Sequence, residues 1–182
     1  MNIGTRINGN LDQTNNGILE KYCYNNKDSN CNIYGGLYQW GELVQYLNGA
    51  SNTTSWNPDP TGNVQGICPT GWHIPMNSEM DILANFLGSA SVTGGPLKEA
   101  GTLHWQSPNT GATNSSGFTG LPGGQVASGS FSLLQSATLY WEASQDNNNP
   151  AWDRSLNYND AVLYKGSSAP KSNGVSVRCI KN

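Results

Sequence analysis

Apolar positions in this chain come in short groups, and the spacing inside each group changes along its length. Leu37, Trp40, Val44 and Leu47 recur at intervals of three and four, which predicts a helix over 37–47 ended by Asn48-Gly49. The Gly35-Gly36 pair before it lets the backbone approach its neighbours closely. Met80, Leu83, Ala84 and Leu87 repeat the spacing and predict a second helix over 78–87, led by Pro75 and with Asn77 as its N-cap. Pro96 to Ala100 reads as a helical turn closed by Gly101. Elsewhere the period falls to two. Stretches 131–134, 139–143, 151–157, 160–165 and 175–180 alternate between Asn, Gly or Ser turns, as antiparallel hairpins do. Thr5-Arg6-Ile7 is a candidate short strand, with 18–24 as its partner. The class that follows is α+β: two helices packed on small antiparallel sheets with long loops.

The polar stretches between these groups predict loops. Ala50 to Gly66 is long and polar, kept extended by Pro58 and Pro60, and Thr102 to Gly117 is polar throughout. The segment Gly117-Phe118-Thr119-Gly120-Leu121-Pro122-Gly123-Gly124 lacks the Lys and the strand-to-helix setting of a phosphate loop. It reads as backbone packed tightly under an aromatic core. Trp72 reads as a core anchor, and Trp141, Trp152, Leu156, Tyr158, Val175 and Val177 as fixed core pieces. The residues interleaved with these last ones, above all Asp160 to Ala169, share no common chemistry. They read as a surface that touches a partner.

Composition narrows the class. At 182 residues one domain over 1–182 is the default. Only 12% of residues are charged, yet there are six Trp and eight Tyr, which is not the disordered signature of high charge and few aromatics. The net charge of -3 carries no basic stripe, so nucleic acid is not an expected partner. No apolar run approaches the roughly 20 residues of a membrane span, so no direct membrane insertion is expected. Met1-Asn2-Ile3-Gly4 shows no basic or apolar leader.

The four cysteines carry more information. Cys23 and Cys31 flank a polar stretch that a local disulfide could staple as a solvated turn. Cys68 and Cys179 would then tie the middle of the chain to its end. Four cysteines allow three connectivities, and the pairing expected here is Cys23–Cys31 with Cys68–Cys179. That pairing places the protein in an oxidising, extracellular setting. No Cys-x-x-Cys pair accompanies His73 or His104, so no zinc or other cofactor is expected, and the 23–31 stretch lacks the Gly and Glu of an EF-hand loop. Each His reads as structural.

At this point the chain resembles a family. Glu20-Lys21-Tyr22-Cys23-Tyr24-Asn25-Asn26, Tyr34-Gly35-Gly36-Leu37-Tyr38-Gln39-Trp40, Cys68-Pro69-Thr70-Gly71-Trp72-His73-Ile74-Pro75, Gly117 to Gly124 and Gly174-Val175-Ser176-Val177-Arg178-Cys179 are similar, in this order, to the Fibrobacter succinogenes major paralogous domain. The resemblance implies secreted or surface-exposed proteins with a fold similar to the C-type lectin fold, and it implies no defined activity. The sequence departs from the family by placing Met76, rather than Ser or Thr, at the start of the helix after Pro75.

The resemblance sharpens the reading of the C-terminal region, about 140–179. Positions that are often Asn in related sequences are here Asp153, Ser155, Asp160, Val162, Tyr164, Gly166, Ser167, Ser168 and Ala169. Each can be reached from an AAC codon by changing adenines alone. The pattern resembles that of diversity-generating retroelement variable proteins, which carry a diversified stretch on a C-type lectin scaffold. The expected site, supported by Trp141 and Trp152, is Glu142, Ser144, Asp146, Asp153, Ser155, Asp160, Val162, Tyr164, Gly166 and Ser168, with Tyr164 as anchor. Its partner would be a protein or glycan on another cell or surface, and the protein itself extracellular, at a cell surface or virion-associated. The alternatives are a calcium-dependent carbohydrate-binding lectin, a general adhesion module and a formylglycine-generating-type enzyme. Asn149-Pro150-Ala151 and Trp152-Asp153-Arg154 match neither calcium triplet of the lectins. Two lone histidines and committed cysteines offer no nucleophile and base, so no enzyme is expected.

Overall fold

A computed structural model describes residues 1–145, 150–166 and 169–182. It is an α+β structure whose central element is a five-stranded sheet in the order β5-β4-β6-β7-β8. These strands are β4 (Gly123–Ala127), β5 (Ser130–Leu134), β6 (Ala137–Gln145), β7 (Ala151–Asn157) and β8 (Tyr164–Gly166). The sheet is mixed, because β4 pairs with β6 in parallel while β5, β7 and β8 run antiparallel to their neighbours. Ahead of it come β1 (Thr5–Arg6), β2 (Glu20–Lys21), α1 (Asp28–Tyr34), α2 (Trp40–Leu43), β3 (Trp72–His73), α3 (Asn77–Phe86) and α4 (Ala90–Leu97). A last short strand, β9 (Ile180–Lys181), pairs with β3, and β1 pairs in parallel with β2.

Strand alternation divides the interior in two. Residues of β6 and β7 that point one way, Trp141, Ala143 and Ala151, join Tyr38, Trp40, Leu43, Val175 and Val177 in one core. Residues that point the other way, Tyr140 and Leu156, join Met80, Ala84, Leu97 and Trp105 in a second core beneath α3 and α4. Two indole N–H groups of the first core are satisfied by main chain, that of Trp141 by the Tyr38 carbonyl at 2.9 Å and that of Trp40 by the Glu142 carbonyl at 3.0 Å. Both disulfides form as expected, Cys23–Cys31 across 8 positions and Cys68–Cys179 across 111.

Several sequence expectations change. The helix expected over 37–47 is α-helical only at Trp40–Leu43, with a separate 3₁₀ turn at Leu47–Gly49. Leu37 and Tyr38 instead bridge to Tyr22 and Val175, and Gln45 and Tyr46 turn left-handed, with φ of 57° and 53°. The solvated turn expected inside Cys23–Cys31 holds a 3₁₀ turn and the start of α1. Of the helical turn expected at 96–100 only Pro96 and Leu97 are helical, as the end of α4, which is rich in Ser, Val, Thr and Gly and so owes its helix to packing rather than propensity. The strand expected over 160–165 is confined to 164–166, the one over 175–180 to single bridges and β9, and the Gly-rich segment leads into β4. The strand over 151–157 lies where the alternation put it. The N-cap of α3 is Met76 rather than Asn77. Glu79 Oε2 accepts the Met76 N–H at 2.8 Å, and Ser144 Oγ accepts the Asn77 N–H at 3.0 Å.

Candidate functional site

The expected site is partly assembled and partly dismantled by this arrangement. Asp160, Val162, Tyr164 and Ser155 gather at the β7–β8 hairpin. Tyr164 is 43% exposed, and Asp160, Val162 and Ser155 are half-buried. Asp160 organises the corner: Oδ1 accepts the Val162 N–H at 3.0 Å, and Oδ2 accepts the Tyr164 hydroxyl at 3.0 Å. The Asp160 carboxylate beside Tyr164 pushes the Tyr164 phenol above its ordinary range. Ser155 and Tyr164 are direct cross-strand partners, so their side chains share a face.

Two expected site residues are interior. Glu142 is 1% exposed, and its Oε1 accepts Arg154 Nε at 2.6 Å. Arg154, equally buried, also donates through Nη2 to Asn77 Oδ1 at 2.8 Å and to Asp81 Oδ1 at 2.7 Å. This network pins β7 to the start of α3, so Glu142 belongs to the scaffold. Asp153 is 5% exposed and lies opposite Trp141 and Gly166. Burial pushes its carboxyl up to about 6, with the Arg154 charge opposing. A Cβ at Gly166 would sit 2.5 Å from Asp153 Oδ1, so the two positions constrain each other. Asp146 and Ser168 lie outside the described residues, as does Ser167. Trp152, expected in the core, is half-buried beneath the Lys165 ammonium at 5.0 Å, and Trp72, expected as an anchor, is 40% exposed.

What holds the hairpin grips mainly its main chain. Gly94 N–H donates to the Ala161 carbonyl, Thr110 N–H to that of Tyr158, and Leu163 N–H to that of Ala90, each at 2.8 Å. Lys98, fully buried, sends its ammonium to the carbonyls of Thr110 and Asn157 at 2.9 Å and of Asp160 at 2.6 Å. Gly94 permits this approach, because a Cβ there would meet the Val162 carbonyl at 2.6 Å. The side chains of Asp160, Val162 and Tyr164 are not needed for these bonds.

Ser144 belongs to a different place. With Gln145 and Ala143 it lines a hollow of about 480 Å³ walled by Trp56, Asp59 and Met76. That the 50–66 loop forms this wall was not legible beforehand, since nothing in its polar composition distinguishes a wall from a solvated loop. Lys171 lies nearby, its ammonium 4.1 Å from the Trp40 ring and 2.8 Å from Gln145 Oε1, and burial lowers its pKa to about 8. Lys98, Arg154 and Lys171 were all unforeseen as interior cations, because a lone Lys or Arg in sequence reads as surface.

Both histidines are engaged in bridges. His73 Nε2 meets Glu79 Oε1 at 2.9 Å while Nδ1 meets Asn182 Oδ1 at 2.6 Å, and His104 Nδ1 meets Glu99 Oε1 at 2.9 Å. Among the described residues there is no free cysteine, and no three or more His, Cys, Asp or Glu side chains converge as a metal site. No helix among them is long and apolar enough to cross a membrane.

The fold and its corner thus define a disulfide-braced α+β module carrying a small polar-aromatic face. The chain belongs to the Fibrobacter succinogenes major domain family, whose match spans residues 2–181. No curated protein and no solved structure matches it. Two disulfides fit an oxidising, extracellular setting.

Proposed function

We propose that this protein is a non-catalytic recognition module, built on a C-type lectin-like scaffold, whose C-terminal region presents an exchangeable binding face. In this reading the face centres on Asp160, Val162, Tyr164 and Ser155, continues toward Gly166, and is diversified by a retroelement. Its partner is a protein or glycan on another cell or surface. The observation that carries the reading is the mode of anchoring. The 157–163 hairpin is gripped through its carbonyls and amides by Lys98, Gly94, Ala90 and Thr110. A loop held by its main chain can change exposed side chains within about 0.5 kcal/mol of stability each. Tyr164 supplies a large rigid area and a hydroxyl at low entropic cost. The binding face is smaller than the sequence implied, because Glu142 and Asp153 serve the interior.

Randomising codons 155, 160, 162 and 164 and sorting displayed variants by protease resistance tests the scaffold half of the idea. Most variants should survive, and widespread loss of resistance would sink it. The diversification half is tested in the genome. A near-copy of the codons for 140–181, carrying AAC at the variable positions beside a reverse transcriptase, is expected. A neighbourhood with neither removes that half.

A further inference from the structure

A second site lies in the hollow behind Ser144, and none of Ser155, Asp160, Val162 and Tyr164 lines it. Its volume of about 480 Å³ falls in the range of small-molecule sites, roughly 300–1,000 Å³. One wall is the end of β6 with the start of α3. There the Ala143 N–H donates to the Pro75 carbonyl at 2.8 Å, and the Asn77 N–H to Ser144 Oγ at 3.0 Å. The other wall is the 55–64 stretch. It is held by the Ile74 N–H on the Val64 carbonyl at 2.9 Å, and by the Trp56 ring packed at 70° to that of Trp40 with centroids 4.8 Å apart. Lys171 joins the two, because its buried ammonium reaches Gln145 Oε1 at 2.8 Å on the first wall and the Thr54 carbonyl at 3.3 Å beside the second. The hollow is thus fixed from both sides.

Those bonds also assign the polar groups that line it. An ammonium only donates, so Lys171 must face the oxygen of the Gln145 amide, and the nitrogen end is left as a pair of donors. Ser144 Oγ takes the Asn77 N–H, which leaves its own hydrogen to give. Asp59 is exposed, enters no ion pair among the described residues, and when ionised can only accept. Apolar surface comes from Trp56, Met76 and Val64. Donors and an acceptor therefore stand around one indole. The two charges oppose each other, Asp59 negative on one wall and Lys171 positive behind the other. An anion would meet the carboxylate and a cation the ammonium behind Gln145. A purely apolar ligand would strip water from the polar groups without replacing its hydrogen bonds.

We propose that this hollow binds one ring of a neutral saccharide, held directly by protein groups rather than through a metal ion. A pyranose has an apolar C–H face to lay against Trp56, and hydroxyls that each give and take a hydrogen bond. Asp59, Gln145 and Ser144 offer that combination of acceptor and donors. Among the described residues Asp59 is the one carboxylate lining the hollow, whereas a calcium ion takes about six to eight oxygen ligands. The site uses none of the hairpin residues, so it stands whether or not that face is exchangeable.

The test uses the full chain with chelator present, titrated by calorimetry with glucose, galactose, mannose and N-acetylglucosamine and with short oligosaccharides of each. Glucosamine and glucuronic acid serve as charged arms. At least one neutral sugar should bind saturably, and binding by oligosaccharides alone would mean that the hollow takes a ring within a chain. Asp59→Asn, checked for an unchanged melting temperature, should weaken the affinity about tenfold or more, as loss of a charge-assisted hydrogen bond does. Gln145→Glu keeps an oxygen for Lys171 and removes only the amide donors, so it should stay folded and lose affinity by a similar factor. Tyr164→Ala, on the hairpin, should bind the sugar as the parent does. The proposal is overturned if no neutral sugar binds, if binding requires calcium, or if a charged sugar is preferred. It is overturned equally if folded Asp59→Asn and Gln145→Glu both keep the parent affinity, or if Tyr164→Ala alone abolishes binding. Should Asp59→Asn not fold, the result for Gln145→Glu decides.

Discussion

Asp153 is where burial and the sequence reading part company, and its titration offers a sharp test. The residue is 5% exposed, and burial lifts its carboxyl from the ordinary 3.8 to about 6. In the unfolded chain an Asp releases its proton near 3.9. Between about pH 4 and 6 the native state therefore holds more protons than the unfolded one, so stability falls as pH rises through that window. The shift is about two units at ~1.4 kcal/mol each, which puts the cost of ionised Asp153 near ~3 kcal/mol above pH 6 and near zero below pH 4. Asp153→Asn keeps the shape and removes the titration. Urea unfolding of both proteins, disulfides intact, at several pH values between 3.5 and 8 isolates the residue, because every other group cancels in the difference. The gap in favour of the variant should widen by ~3 kcal/mol from pH 4 to pH 8. A gap that stays level across that range would mean the carboxylate is solvated or paired when charged. It would then belong to the face after all.

Two further outcomes follow from the interior cation and the long cystine. Lys98→Met keeps the bulk but orphans three carbonyls, and it should destabilise by about 3–5 kcal/mol with the largest rise in amide exchange over 157–163; even protection across the chain would refute its role as the hairpin's anchor. Cys68→Ala with Cys179→Ala opens a loop spanning 111 positions and should cost about 4–5 kcal/mol in chemical unfolding, against a markedly smaller loss for the pair 8 positions apart at Cys23 and Cys31.

Much of the framework was legible because local pattern and tertiary structure agree there. The alternation from Ala151 to Asn157 gives β7 its observed bounds, and the three-and-four spacing around Met80 and Ala84 gives α3 to within a residue. The failures have separate causes. Leu37, Trp40, Val44 and Leu47 fit a helical face, but Leu37 and Tyr38 form isolated bridges to Tyr22 and Val175 and Leu47 ends 42% exposed. The helix α4 is written in residues that disfavour helices, and its Gly94 is there to let the hairpin come close. Of the candidate site, Asp160, Tyr164 and Ser155 were named together on the codon pattern that the resemblance implies, and the β7–β8 pairing brings them to one corner. Glu142 and Asp153 were not separable from them, because strand alternation does not say that both faces of β6 and β7 are covered. A sheet with a core on each side buries its polar residues along with the apolar ones, and only the partners, Arg154 and Gly166, reveal it.

The cystine between Cys68 and Cys179 closes a circuit that holds α3, α4 and all five strands of the central sheet. An extracellular protease that severs the chain once anywhere inside that circuit leaves a single covalent object, its two pieces still linked through sulfur. Such a molecule can be cleaved and go on displaying its hairpin, and the damage would surface only on exposure to a reductant.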